Sequence, residues 1–161
     1  MSDRGLDLER HLDDLRTRSH AGHSDPAEQL ALFAQEVDRL DPFVRQALGE
    51  LDAAWLDGTG EVARTDSVDD PEAHHVTTWL LSWPDQRSAG VEPVQIAARF
   101  AGRVHPHLGA TRARDWPLDV YDDADAARQL PLLRLLAESE LHQRVFDADW
   151  RVVTGYRRRH T

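Results

Sequence analysis

The residues with the widest chemical repertoire gather between Val94 and Trp116. His105-Pro106-His107 sets two imidazoles on one side of an extended backbone, the spacing at which one strand can offer two ligands to Zn²⁺ or Fe²⁺. His74, His75, Glu138 and His142 are the residues able to complete such a shell. None stands at a diagnostic spacing from the pair, and turn histidines that cap backbone groups or face solvent read the same way. No metal and no cofactor is therefore expected, and His105 and His107 stand as candidate acid–base groups. Around them runs a stretch without any acid: 22 residues separate Glu92 from Asp115 and include Arg99, Arg103, Arg112 and Arg114. Arginines in a glycine-containing loop can form a fork for a carboxylate, a phosphate or an acidic peptide. They can equally balance the protein's own acidic residues across an internal interface, the commoner role of a charged run. Trp116 closes the stretch, so the candidate ligand-binding residues are Arg99, Arg103, Arg112, Arg114 and Trp116. Trp79 and Trp83 share one strand face and either join Trp116 in lining an apolar pocket or form core beneath a helix, the more frequent fate of large aromatics.

Elsewhere the chemistry thins out. Glu138 and His142 lie one above the other at i, i+4 on a helix face, where an acid can orient a histidine for base catalysis, but no nucleophile is identifiable beside them and a solvated intrahelical pair is the plainer reading. The chain holds no Gly-X-Ser-X-Gly elbow, no Gly-Lys-Ser/Thr loop and no Gly-X-Gly-X-X-Gly turn, which disfavours acyl-transfer, ATP, GTP and dinucleotide chemistry.

The elements that must position these residues follow from periodicity. Leu8, Leu12 and Leu15 form one narrow stripe on a helix over about 5–18, so residues 1–22 are expected to be loosely attached, removable or partner-facing. Ser19–Asp25 reads as a flexible loop. Asp25-Pro26 and Asp41-Pro42 repeat a cap-plus-proline start, predicting a pair of helices over 25–57 bent sharply at Pro42. After Gly60 the period falls to two: strands are expected at 61–65, 75–83 and 94–100, the last two joined as a hairpin. Residues 101–114 show neither period, 116–120 form a short extended piece, and Asp122 or Asp123 caps a helical turn. Pro131 opens a longer helix to Val145 with a wide apolar face, Asp149–Val153 is a candidate closing strand, and 155–161 a tail. The order gives a single α+β domain over 1–161: a helical N-terminal third, then an antiparallel sheet of about three to five strands within 60–154, packed by a C-terminal helix.

At 161 residues the chain can bury roughly two thirds of its unfolded surface without staples. It has no Cys, which excludes disulfide, thiolate-ligand and thiol-redox chemistry and points to a reducing cytoplasm. No apolar run approaches the roughly 18 residues needed to span a bilayer, so no membrane association is expected. All 19 basic residues are Arg, with no Lys or Asn and one Ile, a bias that looks like a high-G+C bacterial genome. Residues 1–72 carry 18 acids against 7 Arg, net −11, and residues 73–161 carry 11 against 12, net +1. Overall acidity disfavours nucleic acid as a partner.

The order helix, three strands, His105-Pro106, Trp116-Pro117 and further helices resembles ubiquitin-conjugating domains over roughly 40–140. Such enzymes need a cysteine after the His-Pro pair, which this chain lacks, so no function carries over. Two functional classes are expected. The first is a small acidic accessory or regulatory domain that binds a protein partner or itself. The second is a small enzyme or ligand-binding protein that uses the 99–114 Arg/His loop for an anionic small molecule.

Overall fold

A computed structural model describes residues 3–69, 74–101, 104–111 and 116–161. The helices are α1 (Asp3–Thr17), α2 (Pro26–Trp55), α3 (Pro84–Ala89), α4 (Asp123–Arg128), α5 (Leu130–Asp147) and α6 (Thr154–His160), with a 3₁₀ turn at Trp150–Val152. The strands are β1 (Glu61–Asp69), β2 (His74–Ser82), β3 (Val94–Ala101), β4 (Val104–Ala110) and β5 (Trp116–Pro117), in the antiparallel order β1-β2-β3-β4-β5. The architecture is α+β. Trp79 and Leu81 of β2, Val94, Ile96, Ala98 and Phe100 of β3, and Leu108 and Ala110 of β4 meet the buried stripes of α2 and α5 in one core.

The expected pair of helices over 25–57 is a single helix of 30 residues, with Pro42 in its interior. Asp25 caps it as its sequence implies, its carboxylate accepting the Glu28 N–H at 3.1 Å. Pro42 removes one N–H and crowds the carbonyl a turn earlier, a local cost. Against it stands the burial of Phe33, Val37 and Leu40 before the proline and Val44, Leu48 and Leu51 after it, all on one continuous face. Asp41 does not cap a second helix. Its carboxylate accepts the Trp79 indole N–H at 2.7 Å and Arg45 Nε–H at 2.9 Å, tying α2 to β2.

Three further expectations are corrected. The aperiodic 101–114 region contains strand β4, hidden in sequence by Pro106 and Gly109. Arg99 pairs with His107 and Ala101 with Val104, so positions 105 and 106 oppose position 100 alone in a bulge. A bulge is where a proline without N–H fits a sheet, and the Pro106 carbonyl accepts the Leu118 N–H at 2.8 Å. The antiparallel hairpin expected of β2 and β3 is present, its connection holding the short helix α3, ended by Gly90 at φ 67°. The closing strand over 149–153 is the 3₁₀ turn, and the tail is α6. There the Val152 carbonyl accepts the Trp83 indole N–H at 2.7 Å, which uses that backbone for core anchoring and not for a ladder. α6 lies so close to the end of α2 that a Cβ at Gly155 would sit 2.9 Å from the Trp55 carbonyl oxygen. Arg158 secures it to Asp57 at 2.7 and 2.8 Å, and Arg157 to Asp85 at 2.8 Å.

Candidate functional site

Helix α1 is turned the opposite way to an ordinary surface helix. Its leucines Leu8, Leu12 and Leu15 are 54%, 57% and 53% exposed, and its other face, Asp7, Arg10, His11 and Asp14, is turned toward the body. Those four residues have the same i, i+3, i+4, i+7 spacing that marks a helix face. Arg10 Nη1 donates to Asp125 Oδ2 at 2.9 Å, Arg128 donates to Asp7 at 3.3 Å, and the Tyr121 hydroxyl donates to Asp14 Oδ2 at 3.0 Å. The Arg10 guanidinium also lies over the Tyr121 ring, 5.0 Å from its centroid, a cation–π contact. Beside the outward face, Leu8, Trp116, Pro117, Pro131 and Leu132 line a groove of about 430 Å³.

Beneath α1 lies a buried polar centre drawn from four parts of the chain. His20 sits in the turn after α1, Asp14 on α1, Glu36 on α2, and Asp119 and Tyr121 after β5; Asp14, His20, Glu36 and Asp119 are buried. His20 Nε2 is 2.7 Å from Glu36 Oε1 and Nδ1 is 3.4 Å from Asp14 Oδ2. The Tyr121 hydroxyl reaches both Asp14 and Asp119, the latter at 3.3 Å. Burial first, and then the neighbouring Asp119 and Asp14 carboxylates, push that phenol well above its ordinary pKa, so it serves as a hydrogen-bond donor. The turn that carries His20 is ordered by paired backbone bonds between His20 and His23 at 2.9 and 3.0 Å, with Arg18, Ala21 and Gly22 at positive φ. Glycine at 22 and the Ser-His-Ala-Gly-His pattern read as a flexible loop; the signal missed was a histidine placed between two long helices that carry acids on facing turns.

The residues expected to form an Arg/His site are only partly brought together. Arg99 is half-buried on β3 opposite His107 on β4, and the His107 ring meets the His11 ring of α1 edge-on at 5.7 Å. Arg103, Arg112 and Arg114 lie outside the described residues, and of His105 only the backbone is described, in β4. Trp116 is exposed at the groove, whereas Trp79 and Trp83 are fully buried core, so the three tryptophans form no common pocket. Glu138 and His142 are both exposed and edge a second groove of about 410 Å³ with Trp55, Trp150 and Tyr156.

Comparison of the chain with family models, with curated proteins and with solved structures finds no match. Among the described residues, no helix is long and apolar enough to cross a membrane.

Proposed function

We propose that this chain is a small cytoplasmic accessory domain that works by protein association, with the outward leucine stripe of α1 and the adjoining Trp116 groove as its contact surface and a second copy of the chain as the occupant. The observation that carries the reading is the orientation of α1: a helix held by its polar face while Leu8, Leu12 and Leu15 face outward. An apolar stripe left on the surface contributes no burial to the fold that bears it, and marks a contact. The 4-then-3 spacing of the leucines is the seam of a two-helix coil. Along the exposed flanks Glu9 lies near the start of α1, Asp13 and Arg16 pair at 3.0 Å in its last turns, and exposed Arg18 follows its end. A two-fold, antiparallel apposition therefore sets Glu9 of each copy toward Arg18 of the other and opposes the helix dipoles, and a self-complementary patch is what an isologous dimer requires.

Sedimentation tests the reading. At a net charge of −10 two copies repel at long range, so dimerisation should strengthen as salt screens that repulsion, whereas docking of a basic partner would weaken. Wild type should pass from monomer to dimer between roughly micromolar and hundred-micromolar concentration. Leu12→Glu should remain monomeric with an unchanged circular-dichroism spectrum. A wild type that stays monomeric throughout that range, at any salt, overturns self-association.

A further inference from the structure

We infer that Asp14, His20 and Asp119 form an internal site for one divalent first-row transition-metal ion, bound through one imidazole nitrogen and two carboxylate oxygens. The three residues come from α1, the turn after it and the segment after β5, all are buried, and one donor atom from each lies within 4.8 Å of the others. Their chemistry is the mixed nitrogen–oxygen set that Zn²⁺, Fe²⁺ and Mn²⁺ accept, and two aspartates match a dication charge for charge. The spacing of the first two donors is informative. His20 Nδ1 and Asp14 Oδ2 are 3.4 Å apart, longer than a well-formed N–H···O bond of roughly 2.7–3.2 Å. Two atoms each about 2.0–2.2 Å from a common ion, at a near-tetrahedral angle, are separated by about that distance. The third donor, within 4.8 Å of the other two, closes to the same separation when the ion draws the three together.

Glu36 supplies a separate argument. Its Oε1 is 2.7 Å from His20 Nε2, the far nitrogen of the ring, and so fixes the imidazole with Nδ1 directed at Asp14. A carboxylate behind a histidine is the arrangement that sets tautomer and orientation in metal sites and raises the basicity of the ligating nitrogen. The Tyr121 hydroxyl lies 3.0 Å from Asp14 Oδ2 and 3.3 Å from Asp119 Oδ1, sharing its one proton between them, and so holds the two carboxylates on the same side. The Ala21 N–H adds a bond to Asp14 Oδ2 at 3.3 Å, so the turn and α1 reach the centre together. The ion would thereby clamp α1 to the body on the face opposite its leucines, leaving the association surface untouched.

The test uses full-length protein dialysed against a chelator and titrated by calorimetry with Zn²⁺ and with Mn²⁺, with melting followed in parallel. The inference expects one ion per chain, a rise in melting temperature with ion concentration, and a visible absorption band when Co²⁺ replaces it. Asp119→Asn should abolish binding, and Glu36→Gln, which retains a partner for His20, should weaken it about 10–100-fold. Should Asp119→Asn not fold, His20→Gln carries the same expectation. His107→Ala should bind as wild type does, which separates this centre from the His105-Pro106-His107 pair. No stoichiometric binding by the wild type overturns the inference; so does binding that survives Asp119→Asn or His20→Gln. Oligomeric state measured with and without the ion keeps this outcome apart from that of the leucine stripe.

Discussion

Helices α1 and α5 both carry apolar residues at helical spacing, and they dock on the body by opposite chemistry. α5 buries Leu133, Leu136, Ala137 and Leu141 against the sheet. It also buries an ion pair that the surrounding backbone completes. Arg144 donates to Glu140 at 2.7 Å and to the Pro93 carbonyl at 3.0 Å, while Glu140 accepts the Thr111 N–H at 3.1 Å and the Thr111 hydroxyl at 2.9 Å. α1 presents acids and an arginine inward and leucines outward. Periodicity establishes that each helix is two-faced. Which face turns inward is decided by what lies beneath: an apolar sheet under α5, and Tyr121, Asp125 and Arg128 under α1.

The sharpest way to break this comparison is at Glu140. Its ion pair with Arg144 is buried, and Glu140→Ala leaves the guanidinium with Asp147, at 3.1 Å, as its remaining carboxylate and strands the Thr111 donors, so it should cost about 1–3 kcal/mol in denaturant unfolding. A cost below about 1 kcal/mol would mean that α5 is held by its leucines alone and that the pair is incidental.

The polar docking of α1 should instead be sensitive to acid. Burial alone would raise the Asp125 carboxyl, but bonds from Arg128, the Tyr121 N–H and Arg10 together hold it below its ordinary value of 3.8. A carboxyl depressed in the folded state contributes stability that is fully present above its unfolded pKa and disappears as pH falls through the folded one. Hydrogen exchange followed from about pH 4 downward should therefore show α1 amides losing protection before those of α5. Simultaneous loss in both helices would show that Asp125 does not anchor α1.

Much of the frame was legible in the residues. The Asp25-Pro26 cap, the alternation of Val94, Ile96, Ala98 and Phe100, the Asp122 cap and the leucine face of α5 each rest on local rules that the tertiary structure leaves intact. The misreadings arose where packing overrode a local signal. Pro42 looks like a helix start but sits on the exposed side of a helix whose other side is one continuous buried stripe; Pro106 and Gly109 look like a loop but occupy a bulged strand between two neighbours. The centre at Asp14, His20 and Asp119 was illegible for a different reason. Its members are separated by up to about a hundred positions, at no motif spacing, and only the inward rotation of α1 brings the first two to the third.

The smallest expected effect is the most direct measure of which way α1 faces. At a protein concentration low enough to keep the chain monomeric, Leu12→Ala removes side-chain atoms that are already mostly in water, and alanine is at least as good a helix former. The change should stay within about 0.5 kcal/mol, as for surface positions generally. The same substitution at fully buried Leu133 opens a cavity in the core and should cost about 2–5 kcal/mol. The ratio of the two matters more than either value, because both replace one leucine in one helix and differ only in what surrounds it. Repeating the Leu12→Ala measurement at high concentration adds a second arm: a penalty that appears only there belongs to the contact between copies, while one present at every concentration would place Leu12 against the body and reverse the orientation of α1 on which the association surface depends.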